Sequence, residues 1–598
     1  MKTLLKKVCG WLKTAREWLL WPLRRQPVFF VILMLLFAIG PLQQIWHNVL
    51  IGNDIVFWKG AKSLAVVTFV VYVLTLLAAK VKWTKPVLYG LALLLKFVTL
   101  FVKYNFMADF NPVMLQALTE TDAAETSEFL GIYAFSGGTL KSYAYIAIAI
   151  ALILAGERWM PRFKRWFSHG WQRTLMALAL VVLLPYGVMQ VTRQAMLYGP
   201  SATVDEVYAY QKYGPTDALS NINYAMLAVS HVGKEAEREY EVTEQAMRQA
   251  SECVEPDSLH LVVVIGESYI KSHASVYGYT LPTTPRLQAE LDSGHLFLFH
   301  DVIAPFNTTS DALKRTFSTN SDACQEHWFD FPFFPSLFKK AGYFVTYWDN
   351  QWDAHRFDIF DFSLGSIIHN KRLVPHSYDM ENSKRFNFDY ELLDSYLHEA
   401  HGKVMGHRLS LSMFHLMGQH MYAGSRYPQT SQFMRFTPDS IKRTESWINQ
   451  EKKQDIANYD NATFYNDYVI GQLLDAMRNS CAVMVYFSDH GEEMFDCRDF
   501  CGRDEGVQKQ ASVMKLQYCV PFMVWCSDTF KARYPEVVAQ LKSAAQRKGQ
   551  LDDLPHLLMG LGRVKNPYYK PERDLISPDY KPTKRLVQMS VDYDEVVK

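Results

Sequence analysis

No basic stripe interleaved with aromatics runs through the C-terminal two-thirds of this 598-residue chain, so nucleic acid is not an expected partner. A cleavable leader is not expected either. The N-terminus is long and basic, its first apolar run lies past Arg25, and no small-residue cleavage site follows, so this segment is expected to stay as an anchor. Internal repeats and low-complexity tracts are absent, which excludes solenoid and fibrous architectures. Cysteine is scarce, eight in all, and no C-x-x-C pair occurs, so nothing points to a thiolate zinc site. There is no excess charge of either sign: 62 Lys and Arg against 61 Asp and Glu leave +1. That total averages two unlike halves.

The first 200 or so residues are dominated by five apolar stretches, 28–42, 63–79, 86–102, 143–156 and 174–191. A hydrocarbon core needs about 20 apolar residues of helix, which several of these reach only with their flanks; the fourth is the shortest. Lys and Arg crowd the segment before the first stretch, the second connection (Lys80, Lys82, Lys85) and the fourth (Arg158, Arg162, Lys164, Arg165, Arg173). The third connection is acidic instead. The positive-inside rule then puts the N-terminus in the cytoplasm, and five crossings leave everything after Val191 outside. Seven of the cysteines fall on that outer side, where disulfides persist. Cys497 and Cys501 are close enough in sequence to staple a loop, the other reading being buried free thiols. Lys96, inside the third stretch, is a charge that should face protein, water or the interface.

Residues 1–27 read as an interfacial amphipathic helix, 28–191 as a five-span domain, 192–257 as a helical bridge, and 258–598 as a globular domain. In that last part, LVVVI at 261–265 is a β-branched run ending in Gly266, as for a strand buried on both faces. Similar runs at 343–348, 409–416, 482–487 and 520–525 alternate mostly with helix-length polar segments, which predicts an α/β domain with a largely parallel central sheet. Ligands of such sheets sit beyond the carboxyl ends of the strands. Those exits read Gly266-Glu267-Ser268, then His415 with Gly418 and His420, then Ser488-Asp489-His490-Gly491-Glu492. Two carboxylates and an imidazole suit zinc. By spacing alone, buried side chains that merely hold loops together are an equally good reading.

The segments VVVIGESYIKSHASVYGYTLPTTPRL, FHLMGQHMYAGSRYP, YDNATFYNDYV and YFSDHGEEMFD resemble, in the same order, the motifs of the bacterial phosphoethanolamine transferases of the alkaline phosphatase–sulfatase superfamily. The five-span anchor resembles theirs too, including NPVMLQALTETDAAETSEFL. The resemblance implies an alkaline-phosphatase-like (sulfatase-like) soluble domain behind the membrane helices. It carries a zinc ligand onto Glu267, the Asp-His ligand pair onto Asp489 and His490, and a metal-bound nucleophile onto Thr309, with Thr308 one residue away as the alternative. An ordinary helix cap is what either threonine would be in isolation. His420 matches a histidine near the phosphate and implies an acid for the leaving oxygen; His415 is expected to be structural. Lys271 and Glu125 match substrate-binding positions, and Asn350 and Gln351 echo a motif without an assignable role. Two departures stand out. Ala117 replaces an asparagine that, in relatives, meets the lipid head group. Arg503 stands in FCGRDEG, near where lipid A-modifying members carry a further histidine, which argues for one zinc site over two and for Arg503 as a phosphate ligand.

The implied reaction takes phosphoethanolamine from phosphatidylethanolamine, through a phosphoethanolamine-threonine, to lipid A, lipopolysaccharide core or a related envelope glycan, at the outer face of a bacterial inner membrane. A phosphoglycerol transferase of the lipoteichoic-acid synthase type is the nearest rival, and a catalytically silent envelope scaffold a more distant one. A sulfate-ester hydrolase is disfavoured, since no Cys/Ser-x-Pro-x-Arg motif lies near position 309.

Overall fold

The computed structural model describes the chain apart from residues 1, 52–53, 82, 107–108, 111–113, 116–128, 132, 161–169, 200–205, 207–209, 211–213, 255–256, 321–326, 352–366 and 505–506. Two compact units result, Met1–Val232 and Gly233–Lys598.

The first unit is helical. Helix α1 (Lys2–Leu19) leaves Trp11, Leu12 and Trp18 exposed among basic residues. Among the described residues, four helices are long and apolar enough to cross a membrane: Phe57–Lys80 within α4 (Asp54–Lys80), α5 (Thr84–Phe106), α6 (Gly137–Arg158) and α7 (Gly170–Met196). A fifth crossing is made if α2 (Pro27–Phe37) and α3 (Ile39–Ile51) form one span, broken by 52°. Pro41 accounts for the break: it has no N–H for the Phe37 carbonyl, and its ring crowds that carbonyl. Helices α4 and α7 pack tightly, because a Cβ on Gly187 would meet the Ala65 carbonyl at 2.4 Å. Lys96, the charge in α5, lies 5.9 Å from the Phe37 ring centre and 5.5 Å from that of Tyr145, so two aromatic faces receive its ammonium.

The second unit is built on a seven-stranded sheet. Its strands are β1 (Leu259–Gly266), β2 (Leu296–Phe299), β3 (Phe344–Asp349), β4 (Met380–Glu381), β5 (Leu409–His415), β6 (Ala482–Ser488) and β7 (Phe522–Cys526). They lie in the order β2-β7-β6-β1-β5-β3-β4. From β6 to β4 every pair is parallel. Strand β7 runs antiparallel to both β6 and β2, so the sheet is mixed at one side, a topology the apolar run at 520–525 does not reveal. Strand β1 is central and wholly buried, as its unbroken β-branched run requires. Each such side chain contributes about 1.5–3 kcal/mol on full burial. Helix α11, the 28-residue Gln450–Met477, covers the same face as α10 (Asp389–Glu399) and buries Tyr459, Tyr465 and Leu473 against this core. The carboxyl ends of β1, β3, β5 and β6 thus point one way, and the loops leaving them share one rim.

Candidate active site

Strand β1 delivers Glu267 to that rim, and β6 delivers Asp489 and His490. Register brings the exits together: Gly266 sits opposite Ser488, and the Asp489 amide donates to the Gly266 carbonyl at 3.0 Å. Among the described residues, Glu267, Asp489 and His490 are a buried group whose ligand atoms all lie within 4.8 Å of one another.

Each of the three is held by a neighbour. Ser268 adopts φ 56, a left-handed conformation that costs a residue with a Cβ free energy and here has a visible purpose. It turns the Ser268 amide to Asp489 Oδ1 (3.2 Å) and its hydroxyl to Glu267 Oε1 (2.8 Å). Gln351 Nε2 donates to Glu267 Oε2 (3.1 Å) and to the Leu416 carbonyl (2.9 Å), which gives the WDNQ glutamine a role as a positioning residue. His490 Nδ1 lies 3.0 Å from the Gly491 carbonyl; donating there leaves the Nε2 lone pair facing the carboxylates. Burial, with Arg503 nearby, pushes His490 down to about 3, so it is neutral and able to ligate at pH 7. Gly491 is obligatory, since a Cβ there would lie 1.9 Å from the Leu516 carbonyl oxygen.

Helix α9 (Thr309–Phe317) supplies the hydroxyl. Thr309 is its first residue, and Thr308 is the extended N-cap. The two threonines point to different partners. Thr309 Oγ1 donates to Glu267 Oε2 at 3.1 Å and lies 3.2 Å from His490 Nε2, whereas Thr308 Oγ1 turns to Asp311 Oδ2. Ahead of them, Asn307 is tied to the Asp504 carbonyl and to Gln517 Oε1, which fixes the approach to the helix. Arg503 joins the same loop to the site: its guanidinium touches the Asn307 carbonyl (3.1 Å) and His490 Nε2 (2.6 Å).

His420 lies on the loop after β5, where burial pushes it down to about 4, with Glu267 opposing and Arg426 and Arg503 assisting. That loop is pressed onto the loop that carries Glu267. Gly418 has φ +49, and a Cβ on it would meet Glu267 backbone atoms at 2.9 and 3.0 Å. His415 is buried on β5, opposite Asp349. Its Nδ1 meets Asp349 Oδ1 at 3.0 Å, Asp349 Oδ2 lies 3.3 Å from His369 Nε2, and His369 Nδ1 is 2.7 Å from Glu381. Burial would raise Asp349, but His415 and His369 hold its carboxyl far below the usual range. This chain of four ionisable groups went unread in the sequence; Glu492, named at the strand exit without a role, is a buried carboxyl that burial raises to about 7. The second acid of DHGEE was the only signal for it.

Lys271, expected as a substrate ligand, has two partners of its own. Its Nζ donates to the His300 carbonyl (2.7 Å) and lies 2.8 Å from Cys519 Sγ, with no hydrogen bond to Thr309 or to the three candidate ligands. Glu125 and Ala117 lie outside the described residues. The loop staple is not formed either: Cys497 and Cys501 are free, the first directed at Glu493 and the second at Met494, its partner in a short ladder.

An acid, an acid-imidazole pair and a helix-terminal hydroxyl around one point are suited to holding a divalent cation and a phosphate. The Asp489 Oδ2 oxygen is consistent with this, being buried without a hydrogen-bond partner among the described residues. Comparison with known proteins agrees. Residues 260–563 match the family model described as Sulfatase. The phosphoethanolamine transferase EptC of Escherichia coli is 24% identical over 513 residues, 81% of this chain and 82% of that protein. The crystal structure of its C-terminal periplasmic domain aligns with a TM-score of 0.50 at 24% identity, over 58% of this chain and 96% of that one. The integral membrane lipooligosaccharide phosphoethanolamine transferase A of Neisseria meningitidis aligns over 93% of this chain and 99% of its own, with a TM-score of 0.57 at 16% identity, a likeness of fold that takes in the apolar helices as well as the α/β unit.

Proposed function

This chain belongs to the sulfatase family, and from that premise we propose that it transfers phosphoethanolamine from phosphatidylethanolamine to a lipopolysaccharide, lipid A or related envelope glycan. In this reading the N-terminus is cytoplasmic, the spans lie in a bacterial inner membrane, and the second unit is periplasmic. The supporting relatives are phosphoethanolamine transferases by name, at moderate identity over most of the chain. The observation that carries the mechanism is the placement of Thr309 Oγ1 within hydrogen-bond reach of both Glu267 and His490, beside the buried Asp489 carboxylate.

One zinc ion fits Glu267, Asp489, His490 and Thr309 by the chemistry of the donor set; when bound it lowers the pKa of the hydroxyl and polarises the phosphodiester. The chain's own groups do the rest. Thr309 Oγ bonds to phosphorus and the bond from phosphorus to the glycerol oxygen breaks, giving diacylglycerol and phosphoethanolamine-threonine. The threonine proton leaves along its hydrogen bond to Glu267. The N-terminus of α9 favours the incoming anion through its unpaired amides and dipole. Arg503 lies where it can hold a phosphate oxygen beside the candidate ligands. His420 is neutral at pH 7 before substrate binds; an anionic diester beside it favours its protonated form, which then delivers a proton to the leaving oxygen. In the second half-reaction an acceptor hydroxyl oxygen bonds to phosphorus, the Thr309 Oγ–P bond breaks, and the hydroxyl proton ends on Thr309.

Intact-protein mass spectrometry after incubation with phosphatidylethanolamine bilayers tests this. A phosphoethanolamine increment is expected on the unmodified chain and on Thr308→Ala, and none on Thr309→Ala or after chelation, with recovery on adding zinc. An increment on Thr309→Ala, or a phosphoglycerol increment in its place, overturns the assignment.

A further inference from the structure

Asn307 lies two residues ahead of Thr309, and its buried side chain has no freedom left. Its Nδ2 is taken up by the Asp504 carbonyl and Gln517 Oε1, so its Oδ1 must accept, and the donor is Gln588 Nε2 at 2.8 Å. Gln588 comes from 281 positions away. It stands at the tip of a short hairpin in which Leu586 pairs with Asp592 and Val587 with Val591. The Gln588 amide donates to the Pro305 carbonyl at 2.8 Å, and its Nε2 also reaches Tyr518 Oη at 3.0 Å. The next residue, Met589, sets its sulfur against the Arg315 guanidinium of α9, which also lies 5.5 Å from the Phe306 ring centre. The tip thus holds the segment leading to Thr309 at Pro305 and Asn307, and the helix itself at Arg315.

The base of this hairpin is firmly held. Val587 and Tyr593 are buried with Ile303, Met514 and Tyr518 in one apolar cluster. Arg585, also buried, takes both carboxylate oxygens of Asp594 and reaches Asp301 Oδ1 at 2.7 Å. The tip, by contrast, is strained. Gln588 (φ 46) and Met589 (φ 53) are consecutive left-handed residues, and neither is glycine or asparagine. A turn that merely reversed the chain would be more stable with Gly or Asn there. Glutamine has the donor that glycine lacks and the reach that asparagine is one carbon short of. In this conformation one residue meets Pro305 through its backbone and Asn307 through its side chain. Strain of this kind persists where the surrounding contacts over-determine it.

We propose that this hairpin is a strap that sets the approach to Thr309, with Gln588 as a positioning residue for the threonine hydroxyl. The inference rests on the transferase reading above and adds a residue that acts through Asn307 without touching substrate. The full-length protein in phosphatidylethanolamine nanodiscs tests it. Gln588→Met keeps the side-chain length and removes the donor; Gln588→Gly also relieves the left-handed backbone. Charging of Thr309, followed by intact-protein mass spectrometry, should slow about tenfold at saturating lipid in both, with the half-saturating mole fraction of lipid unchanged. Gln588→Gly should nevertheless melt no lower than Gln588→Met. Ser590→Ala, exposed in the same turn, should charge at the unmodified rate. An unmodified rate in either Gln588 variant overturns the inference, since a simple turn would tolerate glycine. So does a raised half-saturating lipid fraction at an intact maximal rate, which would make Gln588 a lipid contact. Hydrogen exchange gives a readout independent of turnover. The amides of Ala304 and Ala312 flank the loop and are bonded to the Tyr518 and Thr308 carbonyls. Both should exchange about fivefold faster in the Gln588 variants, the equivalent of one hydrogen bond, and unchanged exchange overturns the strap. Failure of the unmodified chain to charge overturns the transferase reading alone, and exchange then still decides the strap.

Discussion

Individual side chains here are held in charge states that free amino acids do not show. His273, in the motif ESYIKSH, is buried between Asp460 Oδ1 (2.7 Å) and Asp496 Oδ1 (3.1 Å). Burial alone would lower it, but the two carboxylates outweigh that effect and raise it to about 10. Arg443, 3.6 Å from Asp496, and Tyr279, bonded to Asp460, complete the surroundings. A raised histidine stabilises the fold fully below its unfolded pKa of about 6.5 and loses that contribution as pH climbs through its folded value. Denaturant unfolding should therefore show stability falling between about pH 6.5 and pH 10. His273→Gln should be weaker by about 3 kcal/mol at pH 7, because two buried carboxylates lose their cation, and should lack that alkaline fall. Thr308 and Thr309 teach a related lesson. They are adjacent and chemically identical, and the start of α9 separates them into a cap bonded to Asp311 and a hydroxyl aimed at Glu267 and His490.

At the scale of elements, strand ends and the loops leaving them carry the chemistry. The parallel register of β1 with β5 and β6 was implicit in three apolar runs, and with it the meeting of Glu267, Asp489 and His490. What the runs do not encode is how closely the loops approach. Gly418 lies against the Glu267 backbone in a left-handed conformation, a contact between residues 151 positions apart that only packing creates. Gly418→Ala must therefore move either the His420 loop or Glu267. Besides the roughly 1–3 kcal/mol of backbone strain, which a melting curve reads, turnover should drop by about tenfold or more, because sub-ångström shifts of reacting groups carry penalties of that size. Unchanged turnover would mean that His420 and Glu267 need not be held together. The antiparallel strand β7 illustrates the opposite limit: its burial is as complete as that of β1, so hydrophobicity alone says nothing of its direction.

The whole molecule divides into two units with separate cores, an apolar helical one and a mixed α/β one. Residues 233–598 contain every described member of the candidate site. This unit expressed alone should fold, and zinc should raise its melting temperature, by about 2.7 kcal/mol in stability when the ion is at a hundred times its Kd. Under the proposed function, turnover of phosphatidylethanolamine in bilayers should be lost, since the proposed donor's acyl chains would stay in a membrane that this unit, among its described residues, lacks the apolar helices to enter. Zinc-independent melting of this unit would count against the proposed ligand set.

Composition and patterning by themselves determined that this chain pairs a helical membrane part with an α/β domain, because burial in lipid and burial in a sheet each impose a length and a periodicity that can be read locally. Motif order likewise pointed to Glu267, Thr309, Asp489 and His490. Tertiary structure alone decided the rest: which threonine faces the carboxylates, that Lys271 is occupied at His300 and Cys519, that Cys497 and Cys501 stay unlinked, and that Asp349 anchors a buried histidine pair. These outcomes depend on distances between segments far apart in the chain. Such distances are set by how the core closes, and no local pattern of residues records them.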